Sequence, residues 1–244
     1  MTLTIPRVIA HRCGGILAPE NTLAGLRVAA AHGCRGVEFD VMLSGDGTPI
    51  LMHDETLERT TDGRGRVADT SDAELARLDA GSRHGAHYAG EPVPTFGDAA
   101  ELCLALGLWA NIEIKPSLGA DAETARKVAE RARELWNGSA PPLLSSFSFE
   151  ALEVARDVAP ELPRGLLVDE PPPDWLKRLR RLGCFSLHCG RRHFSRRLLD
   201  EARREDVPLL VYTVNDAEDA IQLLHSGVAA VFTDRIDLLP DWIE

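Results

Sequence analysis

The fold class is decided by residues 208–234, which read PLLVYTVNDAEDAIQLLHSGVAAVFTD. The two ends of this stretch, 208–214 and 229–234, are nearly continuous apolar runs, as is typical of strands buried on both faces of a parallel sheet. The residues between them have apolar positions at helical spacing. Asp216 is a candidate N-cap, and Gly227 stands where a helix stop is expected. The stretch therefore predicts a strand, a helix and a second strand in succession.

The same alternation continues along the chain. Further apolar runs occupy residues 7–11, 36–43, 49–53, 109–115, 142–147, 164–168 and 184–188. Helical spacing fills residues 21–33, 95–107, 121–136 and 149–159, with stops at Gly33 and Gly107, and Ser195 is a further candidate N-cap. This pattern, in a chain close to the roughly 250 residues of a (β/α)₈ TIM barrel, predicts that α/β fold. A doubly wound open sheet is the structural alternative. Nine strand candidates exceed eight, so one of them lies outside the barrel or is not a strand.

Residues 36–53 depart from the alternation, because their SGDGT connection is too short for a helix and contains a Gly-Asp-Gly turn signal. We expect a hairpin here, in which Asp40 lies roughly across from His53. Residues 54–94 form the longest irregular stretch, a small insertion with one expected short helix at 71–79. Long loops in compact domains are uncommon and often cover sites, so the insertion is either a surface feature or a lid.

Composition excludes several classes of protein. The 244 residues are 44% hydrophobic and 27% charged, which is ordinary for a globular protein, and we expect one domain over residues 1–244. The net charge of −11 disfavours nucleic acid and anionic membrane surfaces as partners. No run approaches the roughly 18 apolar residues of a membrane span, and the N-terminus lacks a secretory signal. Five cysteines without a Cys-x-x-Cys pair fit a reducing environment, so a cytoplasmic location is expected.

A strongly basic segment spans residues 177–204. It contains Lys177, Arg178, Arg180, Arg181, Arg191, Arg192, Arg196, Arg197, Arg203 and Arg204, with only two acidic residues among them. The segment is either a patch for an anionic partner or the solvated face of two helices. The second interpretation is favoured, because runs of charge on helices usually face water.

Charged side chains gather at the ends of the predicted strands. These are His11 and Arg12 after the first strand, Glu38 and Asp40 in the second, His53 in the third, and Glu113 and Lys115 in IEIKP. Residues two apart in a strand point to one face, and the C-terminal strand ends of a TIM barrel line its active site. Structural ion pairs are the alternative for any single residue. For the whole set a functional site is favoured, because charge within apolar strands is costly.

The set divides by chemistry. The carboxylates of Glu38, Asp40 and Glu113 suit a hard divalent cation, Mg²⁺ or Ca²⁺, and zinc ranks lower. Arg12 and Lys115 beside such a cation suit an anionic substrate, since guanidinium matches phosphate oxygens. Two histidines can donate and accept protons near neutral pH. A divalent metal, two cations and a histidine pair together describe phosphodiester cleavage.

The chain resembles the glycerophosphodiester phosphodiesterase family. The stretches that carry the resemblance are AHRCGG, APENTL (18–23), GVEFDVMLSGDGTPILMHDETLERTTDGRG (36–65), LDAGS (78–82), NIEIKP (111–116), LLSSF (143–147), VYTVND (211–216) and FTD (232–234). The resemblance is greatest to cytosolic bacterial members associated with glycerol phosphate uptake. It implies a TIM barrel of the phospholipase C-like phosphodiesterase type. It also implies hydrolysis of deacylated phospholipids, the glycerophosphodiesters, to glycerol 3-phosphate and an alcohol.

The resemblance also assigns roles. The catalytic histidines of the family fall on His11 and His53, and its metal ligands on Glu38, Asp40 and Glu113. Its phosphate-contacting cations fall on Arg12 and Lys115, whereas Glu20 and Asn21 of PENT match supporting positions near the site. The nucleophile is either water or the glycerol 2-hydroxyl. The rival functions are a related phosphodiesterase acting on lysophospholipids and a non-catalytic sensor of glycerophosphodiesters. A homodimer is compatible with the sequence, which does not decide the oligomeric state.

Three places depart from the family pattern: Ser44, where the family often has threonine, Cys189-Gly190, where many members have asparagine, and Cys13, where the family usually has glycine. Cysteine is small, so we expect the family glycine to reflect a need for little bulk and Cys13 to have an ordinary negative φ. The thiol is expected to be reachable from the substrate pocket, with a buried, inert thiol as the alternative.

Overall fold

The computed structural model of the protein describes residues 3–238. Its strands are β1 (Val8–Ala10), β2 (Gly36–Leu43), β3 (Pro49–Leu51), β4 (Trp109–Ile114), β5 (Leu143–Ser146), β6 (Arg164–Val168), β7 (Ser186–Gly190), β8 (Leu209–Tyr212) and β9 (Ala230–Thr233). All except β3 pair in parallel in the order β1, β2, β4, β5, β6, β7, β8, β9, and β9 pairs again with β1. The ring is closed, so the TIM-barrel prediction is confirmed and the open sheet is wrong.

The ninth strand lies outside the barrel. β3 runs antiparallel to the end of β2, with Val41 opposite Leu51. Beyond that pair, the Met52 amide donates to the Asp40 carbonyl oxygen at 3.2 Å. The predicted hairpin is therefore confirmed, and Asp40 lies one residue away from a position directly across from His53.

Helices follow the barrel strands and cover their outer faces, except for the short helix Asp72–Leu75, which lies in the insertion at 54–94. They are α1 (Leu23–Ala31), α2 (Asp72–Leu75), α3 (Phe96–Leu106), α4 (Asp121–Leu135), α5 (Phe149–Val158), α6 (Trp175–Leu182), α7 (Arg196–Arg204) and α8 (Ala217–Ser226). The predicted end signals are confirmed. The Ser195 hydroxyl accepts from the Leu198 amide, and the Asp216 carboxylate accepts from the Asp219 amide. Gly107 and Gly227 end their helices in the left-handed conformation, which glycine adopts without steric cost. In the described part of the chain, no helix is long and apolar enough to cross a bilayer.

Strand β2 shows how the packing positions the site. Its alternate residues Val37, Phe39 and Val41 are fully buried against the helix layer, where the rings of Phe39 and Phe96 lie 6.2 Å apart. Because side chains alternate along a strand, Glu38 and Asp40 must point into the barrel. The apolar outer face of the strand thus fixes the direction of two carboxylates.

The insertion at 54–94 has a small apolar core of its own. Leu57, Val67 and Leu75 are buried against Met42 and Ile50 of the hairpin. The expected helix at 71–79 is shorter than predicted, since it ends after Leu75. The insertion therefore packs on the β2–β3 hairpin, beside the open end of the barrel.

The basic segment lies mainly on α6, α7 and the turn between β7 and α7. Seven of its arginines pair with acidic side chains: Arg178 with Asp174, Arg180 with Glu205, Arg181 with Glu153, Arg191 with Asp219, Arg192 with Asp169, Arg196 with Asp200 and Arg197 with Glu201. The helices bury Leu179 and Leu198 on their inner faces. This pairing supports the interpretation of the segment as a solvated helix face.

Candidate active site

A cavity of about 180 Å³ opens at the C-terminal ends of the barrel strands. One side, here called the charged wall, consists of His11, Arg12, Glu38, Asp40, His53, Glu113 and Lys115. The opposite side, here called the aromatic wall, consists of Phe147, Leu167, Tyr212, Thr213 and Phe232, and Asn111 and His188 complete the lining. The charged wall contains all seven strand-end residues that the sequence predicts for catalysis, substrate and metal. Glu20 and Asn21 lie directly behind it.

Three buried carboxylates form the centre of the charged wall. Oxygens of Glu38, Asp40 and Glu113 all lie within 4.8 Å of one another. Burial and the charge of Asp40 raise the pKa of Glu38 to about 7 and that of Glu113 to about 8. Burial acts in the same direction on Asp40, but the charges of Lys115, His53 and Arg12 and the hydrogen bond from Asn21 together outweigh it and hold the pKa of Asp40 below its ordinary value. Three like charges at this distance require neutralisation.

The carboxylates fit a hard divalent cation. All three offer oxygen ligands, which Mg²⁺ and Ca²⁺ prefer, and they converge from adjacent strands β2 and β4. Lys115 already places its Nζ 3.0 Å from Asp40 Oδ1 and 3.5 Å from Glu113 Oε1. Burial and the charge of Asp40 keep the pKa values of both glutamates raised despite this ammonium. The residues present therefore suit the metal that the sequence predicts.

Arg12 and Asn21 hold the cluster from behind. The Arg12 amide donates to Glu38 Oε2 at 2.9 Å, and its guanidinium donates to Glu20 at 3.2 Å. The Arg12 Nε is buried and has no hydrogen-bond acceptor among the described residues. Asn21 donates its Nδ2 to Asp40 Oδ2 at 2.9 Å and accepts the Asp40 amide at 3.1 Å. The Asn21 side chain thus binds both the carboxylate and the backbone amide of Asp40 and fixes the orientation of the carboxylate.

His11 is held by a residue that the sequence analysis did not assign. Its Nδ1 lies 2.7 Å from Asp234 Oδ1, and the other oxygen of Asp234 accepts from Asn215 at 2.8 Å. Burial acts to lower the pKa of His11, but the hydrogen bond to Asp234 and the charge of Glu38 outweigh it and raise the pKa. With Nδ1 engaged, Nε2 is the ring atom left to face the cavity, 3.9 Å from Glu38. Asp234 ends a strand, as the predicted site residues do, so the same strand-end rule finds it.

His53 belongs to a network that reaches into the insertion. Its Nδ1 lies 2.7 Å from Asp54 Oδ1. Arg59 donates to both oxygens of Asp54, at 2.6 and 3.0 Å, and to both oxygens of Glu20, at 2.6 and 2.8 Å. Burial lowers the pKa of His53. Because Glu20 also accepts a hydrogen bond from Arg12, one arginine of the insertion links the partners of His53 and Arg12.

His188 lines the cavity from β7 and was also missed. It is almost fully buried, and its Nε2 lies 2.9 Å from the Ser186 hydroxyl. Burial lowers its pKa to about 3, so the ring is neutral at physiological pH. The sequence offered no signal beyond a histidine in an apolar run.

The expectation for Cys13 is wrong. Its φ is +76°, in the left-handed region, so the family glycine reflects backbone conformation and not only bulk. Its side chain is fully buried and is not part of the cavity lining, and burial raises the pKa of the thiol well above its ordinary value. A Cβ at Gly25 would lie 2.8 Å from the Cys13 Cβ, so the thiol faces helix α1. The structure therefore supports the buried, inert alternative.

The fold and this pocket define the class of the protein as a TIM barrel with histidines, carboxylates and cations gathered at the C-terminal strand ends. Residues 11–238 match the sequence profile of the glycerophosphoryl diester phosphodiesterase family, and the chain belongs to that family. It is accordingly a phosphoric diester hydrolase.

Known relatives match this chain over nearly its full length. The chain is 35% identical to a glycerophosphodiester phosphodiesterase of Caldanaerobacter subterraneus, with 95% of each chain covered. Among solved structures it resembles a phosphodiesterase of Oleispira antarctica, determined in complex with the product sn-glycerol 3-phosphate. That comparison has a TM-score of 0.93 and 40% identity, and it covers 98% of this chain and 95% of the other. A glycerophosphodiester phosphodiesterase of Agrobacterium tumefaciens is 28% identical with a TM-score of 0.81, covering 96% and 98% of the two chains.

Proposed function

We propose that the protein hydrolyses glycerophosphodiesters to glycerol 3-phosphate and an alcohol, in a metal-dependent reaction with His11 and His53 as proton donor and acceptor. The observation that carries the proposal is the convergence of both histidines with three carboxylates and two cations in one cavity. A binding protein would need the cations but no proton-transfer pair. We treat residues 1–244 as one catalytic domain in this proposal.

The histidines are suited to proton transfer by their partners. Each is bound at Nδ1 by a carboxylate, Asp234 for His11 and Asp54 for His53, which leaves both Nε2 atoms for the reacting groups. The two pKa values are shifted in opposite directions, upward for His11 and downward for His53. Such a divergence is the pattern expected of one proton donor and one acceptor. One ring then deprotonates the nucleophile, and the other protonates the leaving alkoxide.

Arg12 and Lys115 are proposed to hold the phosphate. The buried Nε of Arg12 lacks an acceptor, and an oxygen of a bound diester would supply one. Glu20 and Asn21 are proposed to support them, since Glu20 orients the Arg12 guanidinium and Asn21 orients Asp40. A divalent cation held by Glu38, Asp40 and Glu113, Mg²⁺ or Ca²⁺, would neutralise charge that develops on the phosphate oxygens. The product bound by the Oleispira antarctica enzyme, sn-glycerol 3-phosphate, supports this substrate class.

The test is release of glycerol 3-phosphate from glycerophosphocholine. We expect EDTA to abolish turnover and added Mg²⁺ or Ca²⁺ to restore it. His11→Ala and His53→Ala should each lose at least about 10²-fold in kcat, since a placed proton-transfer group contributes roughly 10²–10⁴-fold. His32→Ala, at an exposed histidine after α1, is the matched control and should retain full activity. Full activity after exhaustive chelation would remove the metal from the proposal, and a near-normal kcat in either variant would remove that histidine.

A further inference from the structure

The aromatic wall has no role in the proposed chemistry, yet it forms half of the cavity. Phe147 and Tyr212 present two rings that meet at 89°, with centroids 6.0 Å apart. Leu167 and Phe232 lie beside them in the lining. Because Phe147 is 46% exposed, its ring is open to a ligand that enters the cavity. The charged wall holds the phosphate, so this corner of two rings faces a group attached to it.

The aromatic wall is poor in hydrogen-bonding groups. The Tyr212 hydroxyl donates to the Val168 carbonyl oxygen at 2.9 Å, so the residue presents its ring and not its polar atom. His188, which completes the lining, is neutral; its Nε2 is engaged by Ser186, and its buried Nδ1 is without a hydrogen-bond partner among the described residues. Thr213 contributes the other hydroxyl of this wall. A polyol such as inositol would leave several hydroxyls without partners here, which costs binding energy for each buried group.

A quaternary ammonium group has the opposite requirements. It needs no hydrogen bonds, and it is attracted to the faces of aromatic rings. The net charge of −11 favours a cationic group over an anionic one.

We propose that the corner formed by Phe147 and Tyr212 binds the trimethylammonium group of a choline-type alcohol, so that glycerophosphocholine is preferred to polyol diesters. This inference rests on the proposed function and names the alcohol that the site selects. Phe147 acts as a specificity-determining residue: it contacts the alcohol and takes no part in proton transfer.

The experiment compares three substrates: glycerophosphocholine, glycerophosphoinositol, and the diester of 3,3-dimethylbutanol, the uncharged carbon analogue of choline. We expect kcat/KM for the choline diester to exceed that for the inositol diester by about tenfold or more. Phe147→Leu keeps an apolar side chain but loses the ring. It should lower kcat/KM for the choline diester by about three- to thirty-fold, the range of a cation–π contact. The other two substrates should change by less than about twofold.

Phe194→Leu is the matched control, because its ring packs 5.8 Å from the guanidinium carbon of Arg191 and does not line the cavity. Phe194→Leu should leave kcat/KM for all three diesters unchanged. An inositol diester cleaved as well as the choline diester would overturn the inference, as would an equal loss on the charged and uncharged substrates in Phe147→Leu. Failure to cleave any of the three diesters would instead overturn the proposed function, so the two failures are distinguishable.

Discussion

Replacing Asp234 with asparagine tests how the charged wall prepares His11. The carboxylate lies 2.7 Å from His11 Nδ1 and is itself held by Asn215 at 2.8 Å, so Asp234→Asn changes charge with little change in shape. A hydrogen bond to a charged group contributes about 1.5–3 kcal/mol. Each 1.4 kcal/mol is a factor of about ten. If the bond supports an imidazolium in the transition state, kcat should fall by roughly 10- to 150-fold.

The pH dependence of kcat/KM provides a second test of the contact between Asp234 and His11. Asp234 raises the pKa of His11 through its hydrogen bond and charge, so its loss should lower that pKa. The limb of the kcat/KM profile that reports His11 should therefore move to lower pH, whichever protonation state is active. Circular dichroism should show an unchanged fold, because Asp234 is partly exposed and the amide still accepts a hydrogen bond.

Asp237→Asn is the control for this experiment. Asp237 lies three residues after Asp234 in the sequence. It pairs with Arg235 and does not line the cavity. It should leave kcat and the pH profile as they are in the parent protein. An Asp234→Asn variant with the parent kcat and an unshifted profile would refute a positioning role for Asp234.

Three further outcomes follow from particular contacts. Arg59→Ala should lower kcat/KM about tenfold in the same assay with unchanged circular dichroism, because Asp54 and Glu20 lose their shared partner; normal activity would refute the link. Cys13→Gly should keep kcat within about tenfold, and the native Cys13 thiol should resist maleimide. The free energy of unfolding of His188→Asn, measured in urea, should approach that of the parent as the pH falls below 6.5. The parent loses additional stability there, by at most about 1.4 kcal/mol per pH unit, because its unfolded state protonates His188 and its folded state does not.

The charged wall could be predicted because it obeys rules that act along single strands. Glu38 and Asp40 are two residues apart in a strand whose other face is apolar, so their common direction follows from the pattern alone. Their neighbours Glu113 and Lys115 follow the same rule one strand further on. The barrel then brings all strand ends to one face. Predicting the direction of these residues required no knowledge of side-chain contacts.

The partners of these residues could not be predicted in the same way. Asp234 meets His11 across 223 positions of sequence, through closure of β9 on β1. Arg59 meets Glu20 across 39 positions, from an insertion with no regular pattern. Such contacts depend on how loops return to the barrel, and periodicity contains no information about that return.

The backbone after β1 explains both the site and the error at Cys13. Four described non-glycine residues have a positive φ, and three of them, Arg12, Cys13 and Asn21, lie together at the turn after β1. A left-handed residue with a side chain costs roughly 1–2 kcal/mol. Here that conformation aims the Arg12 amide at Glu38 Oε2 at 2.9 Å and the Cys13 amide at the Glu38 carbonyl oxygen at 2.7 Å.

These two hydrogen bonds offset the strain, and the bond to the carboxylate is of the stronger, charge-assisted kind. The Asn21 amide adds a third, to the Arg12 carbonyl oxygen at 3.0 Å. The turn is therefore fixed by tertiary contacts and not by the preference of residue 13, which is why a cysteine can stand there. The same turn directs the side chains of His11 and Arg12 into the cavity. Strained backbone next to a pocket is typical of a functional site, because the surrounding contacts must hold it in place.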